Sequence, residues 1–307
     1  MKKNTVIILI LLLGTGLQMT AQQMPHYTQY MYNMNIINPA YVGMRSDISL
    51  SLLSRKQWVN IEGAPETETI SLQGRTFDSV GMGFSVVQDK LGLIEDTSMA
   101  MDLSYTMVTS RYSRLAFGIK GGFSNFNNQL SIGLTPDNEK YPDLTDIYPK
   151  AGVGMFFYTK KYYIGVSVPQ LFKSPEFRLD SNNFSSILNE YQSYFITHGY
   201  VFDINENVKF KPSTLIKYNT DLPISIDLNM NILFKNQVEF GISYRYNDSV
   251  SAMAALIVNK SIRLGYSYDY TLTNLGGFNA GSHEIMLLFD FNFKKRSRWL
   301  NDISCYF

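Results

Sequence analysis

Several things are scarce in this chain, and each scarcity closes a route. There is one cysteine, Cys305, so no disulfide framework can form within the chain, and no CxxC pair offers a structural zinc site. Charged residues make up 17%, against roughly 25% in ordinary soluble domains. The 27 Lys+Arg nearly balance the 26 Asp+Glu, leaving a net charge of +1, which excludes the basic surplus of a dedicated nucleic-acid binder. Mean hydropathy is −0.10, and the repeated apolar runs of about 20 residues that a helical membrane bundle needs are missing. Catalytic signatures are missing too: there is no GxSxG, HExxH or glycine-rich phosphate loop. His26, His198 and His283 lie far apart. Ser282, His283 and Glu284 adjoin in sequence, but successive strand residues point to opposite faces. No catalytic residue, metal site or cofactor is therefore expected. What the chain has in plenty is aromatic side chains, 14% of the total, with 21 Tyr and 20 Phe.

The one apolar run is an address. Lys2 and Lys3 precede Val6–Leu13, and small residues lead to Ala21. This is the layout of a secretory signal peptide cleaved after about Ala21, which leaves Gln22 as the first mature residue.

Beyond residue 45, alternation dominates. Ile224, Ile226, Leu228, Met230 and Ile232 alternate with Ser225, Asp227, Asn229 and Asn231; Val238 to Tyr246 and Ile262 to Leu272 repeat the pattern. A period of two defines a two-faced strand. About fourteen such segments occur: Asp47–Gln57, Glu66–Gly74, Ser79–Gln88, Thr97–Val108, Arg114–Ser124, Ala151–Tyr158, Tyr162–Val168, Ser193–Asp203, Asn207–Lys217, Pro223–Phe234, Val238–Tyr246, Val250–Val258, Ser261–Leu272 and Ser282–Phe293. Every second connection is short, while the others include Asn125–Lys150 and Pro169–Gln192. Sorting by parity fits an outer-membrane barrel, with tight periplasmic turns and longer external loops. Strands of about ten residues suit a tilted membrane crossing. The expected fold is all-β: a transmembrane, up-and-down antiparallel β-barrel whose apolar face meets lipid. A secreted β-sandwich pair is the competing fold.

Inward-facing charges of both signs follow from this phase: Asp102, Asp227, Glu239, Asp269, Glu284 and Asp290, with Lys120, Lys209, Lys211, Arg245 and Arg263. Confined together, they should pair and brace the wall, because an unpaired buried charge is costly. An ion-selective channel is the alternative use.

Two flanking segments stand apart. Residues 22–45 are rich in Tyr and Met and poor in charge, so they should pack inside the lumen as a plug, beneath it, or against a partner. Tyr27, Gln29, Tyr30, Met31, Tyr32, Asn38, Pro39 and Tyr41 are the candidate plug or partner contacts. At the other end, Lys294, Lys295, Arg296 and Arg298, with Trp299, form a basic and aromatic tail. It is suited to anchoring at lipid headgroups or to docking on a periplasmic component. The expected layout is a signal peptide over 1–21, the plug or contact segment over 22–45, the barrel over 46–293 and the tail over 294–307, with both termini periplasmic.

Several pieces together resemble one family. They are Tyr27-Thr28-Gln29-Tyr30-Met31, Ile37-Asn38-Pro39-Ala40-Tyr41, Arg55-Lys56-Gln57-Trp58 and Ala64-Pro65, followed by VGMGFSVVQDKLG, FYTKKYYIGVSVPQL, FKPSTLIKY and GSHEIMLLFDF. In this order and spacing they are similar to the PorP/SprF family of type IX secretion system membrane proteins of the Bacteroidetes. The ending WLNDISCYF departs from that family's usual short basic-aromatic close. The resemblance implies a non-enzymatic outer-membrane barrel of the secretion and gliding machinery. It implies partners among the translocon or periplasmic ring subunits, and the C-terminal domain of an adhesin cargo. A porin-like channel for small solutes is the alternative function.

Overall fold

The computed structural model describes residues 25–129, 131, 143–172, 174–180, 183–189, 192–219, 223–291 and 293. The signal segment, the basic tail Lys294 to Trp299 and Cys305 lie outside these.

Strand follows strand along the chain: β1 Ile48–Lys56, β2 Glu66–Phe77, β3 Val80–Leu91, β4 Ile94–Ser110, β5 Ser113–Asn128, β6 Leu144–Thr159 and β7 Tyr162–Val168. A separate hairpin, β8 Ser174–Asp180 with β9 Asn183–Asn189, precedes β10 Ser193–Tyr200 and β11 Phe202–Asn205. The run ends with β12 Val208–Asn219, β13 Ser225–Phe234, β14 Val238–Arg245, β15 Ser249–Asn259, β16 Ile262–Thr271 and β17 Ser282–Phe291. All pairings are antiparallel between neighbours. β1 pairs with β17, and β10 pairs with β12, so the sheet closes. β10 and β11 are two halves of one strand interrupted at Val201, which makes the closed sheet a 14-strand barrel.

Burial shows which face meets lipid. On β13 the apolar Leu228, Met230 and Ile232 are about half exposed, at 46–52%, while the polar Asp227, Asn229 and Asn231 are 1–3% exposed. A soluble sandwich would bury the first set and expose the second. Exposed aromatics cluster at both edges of the apolar band. Phe77, Tyr112, Phe202 and Phe234 lie at one rim, and Tyr194, Tyr218, Tyr246 and Tyr270 at the other. This is the girdle pattern of a membrane barrel.

The two rims differ. One carries tight turns of two or three residues, such as Asp78-Ser79, Arg111-Tyr112 and Lys235 to Gln237. The other carries longer connections, including 57–65, 169–192 and 272–281. Here the structure departs from the sequence pattern in three places. The expected loop 89–96 collapses to Gly92-Leu93, where Gly92 at φ +60 takes the left-handed turn position. The loop expected over Asn125–Lys150 is shortened at both ends, because β5 reaches Asn128 and β6 starts at Leu144. Pro149 had masked that start, yet it lies within β6 as an exposed, outward residue. The loop after β7 contains the β8–β9 hairpin.

Candidate functional site: the occupied lumen

Every residue from Tyr27 to Met44 is buried. The stretch is wound into 3-10 turns at Tyr30–Tyr32, Met34–Ile36 and Pro39–Tyr41. Local chemistry sets the last of these. Asn38 precedes a proline and is held extended, and its side-chain oxygen accepts the Ala40 amide at 2.9 Å. Pro39 then opens the turn, where its missing N–H costs nothing.

The segment bonds to inward-facing groups on strands all round the barrel. Tyr27 Oη pairs with Thr69 Oγ1 on β2 at 3.1 Å, and Asn229 Nδ2 on β13 donates to Tyr30 Oη at 3.2 Å. Ser71 Oγ donates to Asn33 Oδ1, and Ser167 Oγ donates to the Ile37 carbonyl. Lys120 Nζ donates to the Asn35 carbonyl while paired with Asp102. Tyr41 meets Phe156 edge to face at 5.5 Å. The Arg263 guanidinium lies over the Tyr32 ring at 5.0 Å and pairs with Glu239. Met31 lines a small void with Met34, Tyr158 and Tyr163.

The strongest polar cluster is at the loop rim. Arg55 Nη2 pairs with Asp269 at 2.6 Å, and Arg55 Nη1 pairs with Glu284 at 3.2 Å. The Thr28 hydroxyl accepts from Arg55 and donates to Asp269. Glu284 also accepts the backbone amides of Thr28 and Gln29, one on each carboxylate oxygen, at 2.9 and 2.8 Å. Gln29 Nε2 donates back to the Glu284 carbonyl. Near the turn rim Arg45 Nε and Ser46 Oγ both donate to Asp290, and Arg75 donates to the Gly43 carbonyl.

Two of these clusters give a direction. Glu284 and Asp290 are on one strand, 290 − 284 = 6 residues apart, or about 20 Å. Residues 28–29 bind the first and residues 45–46 the second. The segment therefore runs lengthwise from the loop rim to the turn rim before β1 begins. β1 starts and β17 ends at the turn rim, but Pro25 lies at the loop rim.

Inward glycines make room for it. A Cβ on Gly118 would fall on the Ala40 amide, on Gly154 it would fall on Asn38, and on Gly81 on the Val42 carbonyl. Gly43, at φ +79, packs against Gly74 and Gly81 where the segment turns into β1.

All eight predicted contact residues, Tyr27, Gln29, Tyr30, Met31, Tyr32, Asn38, Pro39 and Tyr41, are buried in this one seat. Among the expected inward charges, Arg245 also pairs with Asp227, at 2.8 Å. Lys209 is only half-buried. Arg55, Thr28 and the seat glycines are not among the expected contacts, although Arg55 alternates in phase with the inward Ser49, Ser51 and Leu53.

His26 is half-buried near Lys217, Asp227 and Tyr30.

The closed strand order and inverted burial define an outer-membrane β-barrel. The chain belongs to the type IX secretion system membrane protein PorP/SprF family, whose model matches residues 19–289. No curated protein matches the chain. Among solved structures it is similar to the Acinetobacter baumannii outer membrane protein Omp33, at 7% identity and TM-score 0.48, covering 81% of this chain and 100% of that one. It is similar to the CymD monoaromatic hydrocarbon channel at 10% identity and TM-score 0.49, covering 85% and 93%. A Pseudomonas aeruginosa FadL homologue aligns at 12% identity and TM-score 0.46, covering 88% and 95%.

Proposed function

We propose that this barrel handles protein rather than solute: its lumen is plugged by its own residues 25–46, and its rims bind partners. Those partners are an exported adhesin's C-terminal domain and subunits of the translocon or periplasmic ring. The observation that carries this reading is the unbroken burial of Tyr27 to Met44 among inward-facing groups, because a filled lumen leaves little path for a solute. The role is non-enzymatic. The turn rim faces the periplasm, as short turns do in bacterial barrels, and the tail Lys294, Lys295, Arg296, Arg298 and Trp299 docks there on a machine subunit. Lipid contacts the outward apolar band.

Affinity purification from native outer membranes tests the reading. Co-recovery of secretion subunits or of one large adhesin is expected, and charge reversal of the four basic tail residues should lower recovery of the periplasmic partner. Deleting residues 25–35 should raise conductance in planar bilayers. Recovery of the barrel alone, with high conductance in the unmodified protein, would instead establish a porin-like channel.

A further inference from the structure

We propose that the turn rim is a binding belt for anionic phospholipids, whose phosphates are held by Arg111, Lys160, Lys161, Lys235 and Lys260. These cations stand on four tight turns: Arg111-Tyr112, Lys160-Lys161, Lys235 to Gln237 and Lys260-Ser261. All five residues are exposed. Lys161 pairs with Asp203 at 2.9 Å, with both side chains about half exposed, and the other four have no carboxylate partner among the described residues. Turns this short cannot fold back, so the cations stay close to the strand ends, at headgroup depth.

Placement on the flank of the wall favours lipid over a protein docked beneath the mouth. Phe234 is an outward, lipid-facing residue of β13, and the Lys235 ammonium lies over its ring, 5.4 Å from the centroid. The Arg111 guanidinium lies 5.5 Å from the centroid of the exposed Tyr112 ring. Both cations are thus held where the apolar band meets the headgroups. Around the rim there are two sectors, Arg111 with Lys160 and Lys161, and Lys235 with Lys260, and Asp78 and Glu206 occupy the turns between them. Neighbouring turns within a sector are two strands apart, about 10 Å, so each sector presents several cations to one patch of membrane.

The loop rim has the opposite balance. Lys56 and Lys90 are paired with Glu66 and Glu95, and Glu62 and Glu68 stand beside them as additional carboxylates. Anionic lipid is therefore expected at one rim only. The periplasmic leaflet as its location rests on the orientation proposed above, whereas the lipid preference does not.

Spin-labelled lipids test the belt, with the protein purified from outer membranes and reconstituted in phosphatidylcholine bilayers. The fraction of motionally restricted label gives the association constant of phosphatidylglycerol relative to phosphatidylcholine. Each Lys or Arg at a membrane surface favours an anionic lipid by about fivefold. Averaged over all lipids touching the wall, the ratio at low salt should therefore be about 2 or more. In about 1 M salt, where the Debye length is about 3 Å, the ratio for the unmodified protein should fall toward unity. The combined variant Arg111→Gln, Lys160→Gln, Lys161→Gln, Lys235→Gln and Lys260→Gln should lower it likewise, while Lys56→Gln with Lys90→Gln should leave it unchanged. A ratio near unity for the unmodified protein at low salt overturns the proposal and leaves these cations to an acidic protein partner. Retention of the preference in the combined variant, or equal loss in the loop-rim control, overturns it as well. None of these outcomes depends on which proteins the barrel binds.

Discussion

Arg55→Met is expected to destabilise the folded barrel by about 3–5 kcal/mol, whereas Lys56→Met, the next residue, should change stability by less than about 1 kcal/mol. The two cations occupy opposite faces of β1. The Arg55 side chain is 2% exposed and bridges Asp269 and Glu284, which are themselves 2% and 0% exposed. Removing it leaves two carboxylates buried together with no cation between them, and takes a donor from Thr28. Lys56 pairs with Glu66, but both side chains are about half exposed, so water replaces what is lost. Urea midpoints of the purified protein in detergent, read by electrophoretic heat-modifiability, will show the contrast. Adding Glu284→Gln to Arg55→Met should recover part of the loss, since one stranded charge is then gone. Equal effects of the two single substitutions would refute the assignment of Arg55 as the lumen clamp.

Gly118→Leu is expected to unseat residues 25–44 while the strands stay paired. The new Cβ would occupy the position of the Ala40 amide and crowd Pro39. Neither can step aside easily, because Asn38 caps that turn and donates to the Met155 carbonyl of β6. Overpacking of this kind costs about 1–3 kcal/mol, which shifts the docked-to-undocked ratio by about fivefold to 150-fold. Proteolysis within 25–44 and bilayer conductance should both increase. Gly121→Leu is the matched control, since its Cβ direction meets nothing within 4 Å. If the two variants behave alike, the seat is not set by Gly118.

The strands were legible in the sequence because membrane walls write a strict period of two, and β13, β14 and β16 each carry it without interruption. Their ends were harder. Asn125, Asn127 and Pro149 look like loop residues, yet they sit in β5 and β6 beyond the apolar band, where the wall no longer needs hydrophobic side chains. The segment's composition announced that Tyr27 to Tyr41 must pack. Its direction could not be read, because polarity depends on which distant carboxylates, Glu284 or Asp290, meet which end. The inward glycines carry no signal alone. Gly118 and Gly154 gain meaning only once β5 and β6 are in register and the chain crossing them is known.

The position of the segment ahead of β1 bears on biogenesis. β1 finds its second neighbour only in β17, the final strand of the barrel. Asp269 and Glu284, which hold Thr28, also come from the last two strands. Thr28 and Gln29 therefore have no complete binding site until the last strands of the barrel have arrived. Wall closure therefore completes the binding site of the segment, so docking of Thr28 follows the arrival of β16 and β17.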